Sequence, residues 1–251
     1  GTAAAKGLIE AYDSPNAAKI PDKYKDADHK WTGVYVGVLG FCSNKTVLKK
    51  LGAEAPKSWD DLLNPAFKGQ VSTAHPSTSG TAFTTLWTQN VRLGGQDQAF
   101  DYMKKLHGNV LQYTKSGTAP GQIAGRGEVA VGLVFSHDCV KYQEEGMSDL
   151  QVSFPKEGTG YEVGGVALVA KSKHSEAAKK YIDWAISADA QNLGQTVGSN
   201  QILTNPNAKT NDKMAKLDEI NLIDYDFAAA AAAKPELTKR FDEEVAAKPR
   251  E

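Results

Sequence analysis

Residues 110–145 read VLQYTKSGTAPGQIAGRGEVAVGLVFSHDCVKYQEE, two strand–loop–helix units in succession. Residues 110–113 have strand character, 114–120 form a polar loop, and 121–126 read as a short helix. Residues 129–135 (VAVGLVF) are a continuous apolar run, the pattern of a strand covered on both faces. Ser136, His137 and Asp138 then form a turn before a helix over 139–145. An earlier copy of the unit has its strand at 70–74, its loop at 75–81 and its helix at 82–93. Repeated βα units predict an α/β fold with a mainly parallel sheet.

Upstream, WTGVYVGVLGF (31–41) is rich in Val and aromatics and interrupted by glycine, which predicts a buried strand with close backbone approach. A short helix over 46–51 is stopped by Gly52. Ser58 with Asp61 three residues on is a helix-start signature. Downstream, a strand is expected over 166–170 after the Gly-rich GTGYEVGG (158–165). Helices follow over 175–186 and 188–197, then an extended segment over 200–206. The six alanines 228–233, between Phe227 and Lys234-Pro235, predict a tight helix or a packed helix start.

The chain's 251 residues carry 29 Lys+Arg against 30 Asp+Glu, a net charge of -1. That balance lacks the basic excess that phosphate-backbone binding requires and argues against nucleic acid as a partner. No apolar run approaches the roughly 20 residues of a transmembrane helix. The first residues, GTAAAK, show no charged-then-apolar leader. Two cysteines, Cys42 and Cys139, are too few for a Cys-based zinc site. They read as buried free thiols, with a single bridge as the alternative.

The loops following the strands hold the candidate chemistry. Ser79, Gly80 and Thr81 open one helix, and Thr114, Ser116 and Gly117 precede another. The first turn of a helix has N–H groups unused by the helix and a partial positive charge, so hydroxyls and glycine there fit an anion. Plain N-capping is the other reading of either loop. His137 and Asp138 end the apolar strand at the same carboxyl edge, where open α/β sheets take ligands. They suit hydroxyl recognition, metal ligation or acid–base work, or else Asp138 caps a helix and His137 packs beside it. Glu162, in the Gly-rich stretch, is a further candidate. A hydrolase would need Ser136 or Cys139 as nucleophile with His137 as base, but immediate neighbours seldom meet that way. The nucleotide-loop, dinucleotide, zinc-helix and nucleophile-elbow motifs are missing from the sequence. No catalytic residue, metal ligand or cofactor is therefore assigned.

These residues resemble the iron-type branch of periplasmic solute-binding proteins that serve ABC transporters. The resemblance is carried by WTGVYVGVLGFCSNK (31–45), PKSWDDLLNPAFKGQV (56–71), HPSTSGTAF (75–83), residues 112–133 and 158–191, and TNPNAK (204–209). It implies a two-lobed type II Venus-flytrap fold that closes on its ligand, an exported monomer, and a membrane permease as partner. Lobe 1 is expected over 1–37 and 163–251, and lobe 2 over 38–162. Members begin with two strand–helix units ahead of the point matching Gly1, so lobe 1 is expected to be incomplete at its N-terminus. Ferric-ion members carry adjacent tyrosines where His137-Asp138 stand here. Without those hard phenolate donors the resemblance points to binders of phosphorylated organic solutes, hexose phosphates first. A ferric-ion or aminoalkylphosphonate carrier is the alternative within the family. The resemblance implies ligand contacts from Ser79, Gly80, Thr81, Thr114, Ser116, Gly117, His137, Asp138 and Glu162.

Overall fold

The computed structural model describes residues 2–247. In chain order the strands are β1 (Ile9–Glu10), β2 (Thr32–Asn44), β3 (Val71–Ala74), β4 (Val110–Thr114), β5 (Val131–Phe135), β6 (Leu150–Ser153), β7 (Tyr161–Val166), β8 (Leu168–Val169) and β9 (Ile202–Leu203). The α-helices are α1 (Thr2–Ala5), α2 (Lys45–Leu51), α3 (Gly80–Arg92), α4 (Gln96–Asn109), α5 (Ala119–Gly125), α6 (Ser136–Glu144), α7 (Ser175–Ala185), α8 (Ala188–Thr196) and α9 (Phe227–Phe241). They sort into two units, Gly1–Gly37 with Glu162–Ala215 and Val38–Tyr161 with Lys216–Glu251.

In the second unit the strand order is β4-β3-β5-β2-β6. β3 runs parallel to both β4 and β5, whereas β2 lies antiparallel between β5 and β6. The expected mainly parallel sheet is thus a mixed one. The 13-residue β2 enters this sheet from the direction opposite to the βα units. Every residue of β5 is buried, which explains the unbroken apolar run of its sequence. Trp59, Phe41, Phe100, Leu86, Leu106 and Leu133, each at most 1% exposed, fill the core. Each such side chain contributes about 1.5–3 kcal/mol by leaving water.

The C-terminal segment departs from expectation. Residues 216–251 are expected in the first lobe, but Leu237, Phe241 and Val245 are buried in one cluster with Phe41, Phe83 and Phe100 of the second unit. Pro235 lies inside the alanine-rich helix. Asp226 caps α9 by accepting from the N–H groups of Ala228 and Ala229, both at 2.9 Å, and the helix continues through Pro235 to bury Leu237 and Phe241. The apolar side chains beyond the proline decide the matter against its missing N–H.

The cysteine expectation is also corrected. Cys42 on β2 and Cys139 on α6 form a disulfide with Cα atoms 5.6 Å apart and a sequence separation of 97. Their complete burial, which favours free thiols in the sequence, is equally the burial of a bridge.

In the first unit β1 pairs with β8, and β9 pairs with the start of β2 through Tyr35↔Leu203 and Val36↔Ile202. Buried amides hold the segment after α8. Gln191 Nε2 donates to Thr204 Oγ1 at 2.9 Å, which donates in turn to the Gly33 carbonyl at 2.7 Å. On α7, Ile182 and Ala185 are buried, but Tyr181 is exposed. The Gly-rich stretch is strand from Tyr161, so Glu162 sits on β7.

Candidate functional site

The parallel arrangement of β4, β3 and β5 puts the loops after all three at one edge of the sheet. Two of them are joined. The N–H of His75 donates to the Thr114 carbonyl at 2.9 Å, and Thr78 Oγ1 donates to the Lys115 carbonyl at 3.0 Å. Gly117 lies against the start of α3. A β-carbon there would stand 2.7 Å from Ser79 Oγ and 2.8 Å from Thr81 Cβ. Only glycine, with no β-carbon, allows this approach. Ser79, Thr81 and Gly117 consequently form one cradle of hydroxyls and backbone.

Ser79 also caps α3, its Oγ accepting from the Ala82 N–H at 3.3 Å. Capping and a ligand role are compatible here, because the hydroxyl proton is still available to donate. Hydrogen bonding within the helix does not use the N–H groups of Gly80 and Thr81. A β-carbon on Gly80 would meet nothing within 4 Å. The start of α3 is therefore open, and its 13 residues are enough for a full helix dipole. The buried threonines further along satisfy their hydroxyls on carbonyls one turn back, Thr85 at 3.1 Å and Thr88 at 2.7 Å.

Thr114 and Ser116 are engaged within their own loop. Thr114 Oγ1 donates to the Ser116 carbonyl at 2.7 Å. Ser116 Oγ lies 2.9 Å from Thr118 Oγ1 and accepts from the Thr118 N–H at 3.3 Å. These contacts shape the loop that presents Gly117.

His137 and Asp138 lie in the first turn of α6, which starts at Ser136 rather than at Cys139 as the sequence suggests. Its N-cap position is Phe135, with no side-chain cap bond, so Asp138 does not cap this helix. Both side chains are mostly enclosed, at 13% and 16% exposure. The imidazole of His137 stacks on Phe135 with ring centroids 5.8 Å apart and planes within 8°. Burial pulls the His137 pKa down to about 4 and pushes that of Asp138 up to about 6, with Lys141 drawing the latter back. The imidazole is thus neutral at pH 7, and the 3.8 Å approach of its Nε2 to Asp138 Oδ1 is not an ion pair. The bridge from Cys139 to β2 fixes this turn. It also leaves Cys139 no thiol with which to act as a nucleophile.

Glu162 belongs to the first unit, where Tyr35 Oη donates to its Oε1 at 3.2 Å. Among the described residues, no three His, Cys, Asp or Glu side chains converge as a metal site, and no helix is long and apolar enough to cross a membrane. Chemically, the second unit offers neutral donors for an oxyanion and, at the same sheet edge, one mostly enclosed imidazole and one mostly enclosed carboxylate.

One contact has no counterpart in the sequence reading. His75 Nε2 lies 3.1 Å from Asp242 Oδ1, on a segment close to the far end of the chain. No local pattern marks such a pair.

Residues 1–231 match the family described as bacterial extracellular solute-binding protein. The structure is similar to that of the periplasmic binding protein AfuA from Actinobacillus pleuropneumoniae with exogenous fructose-6-phosphate bound. The TM-score is 0.91 at 40% identity, over 98% of this chain and 79% of that one. In sequence the chain is 23% identical to the Fe(3+)-binding periplasmic protein of Serratia marcescens, over 90% of this chain and 67% of that protein. It is 26% identical to a Salmonella typhimurium periplasmic protein named for 2-aminoethylphosphonate binding, over 75% of this chain and 55% of that protein. The fold is that of the type II periplasmic binding proteins.

Proposed function

We propose, from the premise that the chain belongs to the bacterial extracellular solute-binding proteins, that it carries a hexose phosphate in the periplasm to a membrane ABC permease. The observation that carries this reading is the cradle of Ser79, Thr81 and Gly117, set at the same sheet edge as the mostly enclosed His137 and Asp138. A phosphate at the start of α3 would receive hydroxyl and backbone N–H donors and the helix dipole, with no need of a basic side chain. The sugar hydroxyls would then meet a neutral imidazole and a carboxylate, groups able to donate and to accept. The likeness to AfuA, whose structure holds fructose-6-phosphate, supports a sugar phosphate over the other solutes of the family. The buried disulfide suits an oxidising compartment.

Calorimetric titration with fructose 6-phosphate, 2-aminoethylphosphonate, inorganic phosphate and ferric citrate tests the reading. Hexose phosphate is expected to bind most tightly, and preferential binding of phosphonate or ferric ion would overturn it. Asp138→Ala is expected to weaken hexose phosphate by about 1.5–3 kcal/mol, the worth of a charged hydrogen bond, and to leave inorganic phosphate nearly unchanged. Equal losses for both ligands would remove Asp138 from sugar recognition. The part of Glu162 in selecting the organic end rests on the family resemblance, and the same pair of titrations on Glu162→Gln decides it.

A further inference from the structure

His75 opens the loop that runs through Pro76 and Ser77 to Ser79, and each of its polar groups is engaged. Its N–H donates to the Thr114 carbonyl at 2.9 Å. Its own carbonyl accepts from the N–H groups of Thr78 at 3.1 Å and Ser79 at 3.0 Å. Ser77 Oγ lies 2.6 Å from Nδ1, and the Ser77 N–H donates to the same nitrogen at 3.3 Å. Because a backbone N–H can only donate, Nδ1 is the acceptor and the ring proton sits on Nε2. That proton points to Asp242 Oδ1 at 3.1 Å, in the π-helical turn Asp242–Ala246 that follows α9. Tyr113 and Phe241 close on the imidazole edge-to-face, with centroids 5.9 and 5.2 Å away.

We infer that Asp242 and His75 are positioning residues for the anion cradle: the carboxylate fixes the ring proton on Nε2, and the ring and its carbonyl then hold residues 77–79 so that Ser79 faces Gly117. Neither residue touches the ligand in this scheme. The C-terminal segment, otherwise remote in sequence, thereby sets the affinity of the loop. The inference rests on the phosphate reading of the cradle. Asp242 suits a positioning task, since its side chain is 53% exposed and its loss removes little packing.

The test compares Asp242→Ala with Asp242→Asn, which keeps an oxygen that accepts from Nε2. Two readouts are needed: titration with fructose 6-phosphate and with inorganic phosphate, and amide hydrogen exchange of the unliganded proteins at Thr78 and Ser79. D242A is expected to bind both ligands about tenfold more weakly, the worth of one hydrogen bond to a charged group, and to exchange faster at those two amides. Its melting temperature should stay close to that of the wild type. D242N should keep affinity within about threefold and restore the slow exchange. Wild-type affinity in D242A, or equal losses in both variants, overturns the inference. If the unmodified protein binds no phosphorylated solute, the proposed function falls, and unchanged exchange in D242A would separately refute the positioning role.

Discussion

Replacing Asp138 by Asn should stabilise the unliganded protein at neutral pH while impairing ligand binding. The carboxyl is 16% exposed, and its pKa is raised from 3.8 to about 6 by burial. The folded state therefore holds its proton more tightly than the unfolded chain. The stability that proton brings is present below about pH 4 and is lost as the pH climbs through about 6. Each pH unit of displacement corresponds to ~1.4 kcal/mol, so at pH 7 the ionised, enclosed carboxylate costs about 3 kcal/mol. Near pH 4 the cost falls to about 0.5 kcal/mol. Asparagine has nearly the same shape and no charge, so it should return most of this difference. Urea titrations of wild type and D138N at pH 7 and pH 4 measure it, with Trp59 and Trp87, both buried in the second unit, as reporters. A gain of about 2–3 kcal/mol at pH 7 that nearly vanishes at pH 4 is expected. A gain of equal size at both pH values would show that the effect is not ionisation and would refute the reasoning.

Three other outcomes can be checked with the same proteins. Gly117→Ala drives a β-carbon into Ser79 and Thr81 and should abolish phosphate-ligand binding by calorimetry; retained wild-type affinity would dissolve the cradle. Ser79→Ala removes a cap and a ligand donor, which predicts a loss of about 1 kcal/mol in stability and at least about tenfold in affinity. Replacing Cys42 and Cys139 together by Ala should cost about 2–5 kcal/mol of unfolding free energy, as expected of a bridge closing a long loop. It should also weaken hexose phosphate more than inorganic phosphate, because the bridge anchors the turn bearing His137 and Asp138 and not the loop bearing Ser79.

How much of this is legible in the sequence depends on how local the determinant is. The three βα units, the Gly52 stop at φ 64° and the Ser79 cap follow from neighbouring residues, and they stand close to where the sequence puts them. The helix α6 starts earlier than its sequence implies, because Ser136 and Asp138 read as turn formers while the helix begins directly from the buried end of β5. The antiparallel placement of β2 has no signature within its own residues, since a strand buried on both faces shows the same apolar run in either direction. The long-range pairs are opaque for the same reason. Cys42 with Cys139, His75 with Asp242, and the return of residues 216–247 to the second unit are fixed by tertiary packing between segments far apart in the chain. Gly117 is readable as a loop glycine, but the need for glycine there comes from Ser79 and Thr81 on another loop.

The two enclosed groups of α6 have opposite consequences for pH that conceal one another. His137, pulled from 6.5 to about 4, loses stability as the pH falls between those values, because the unfolded chain takes up the proton first. By pH 4 that loss is about 3 kcal/mol. Over nearly the same interval Asp138 recovers a similar amount. Between about pH 4 and 6 both side chains are neutral, and their summed cost stays at about 3–3.5 kcal/mol from pH 4 to 7. The wild type should therefore show an almost flat contribution from this turn. Single variants should expose the slopes: D138N becomes less stable on acidification relative to wild type, whereas His137→Gln becomes more stable. The double variant should be flat again. Parallel slopes in the two single variants would mean that the groups titrate as one pair rather than each through its own burial. A pair costing this much in the empty protein is consistent with a turn kept for a ligand, since a hydroxylated solute can supply hydrogen bonds in place of the water that burial removes.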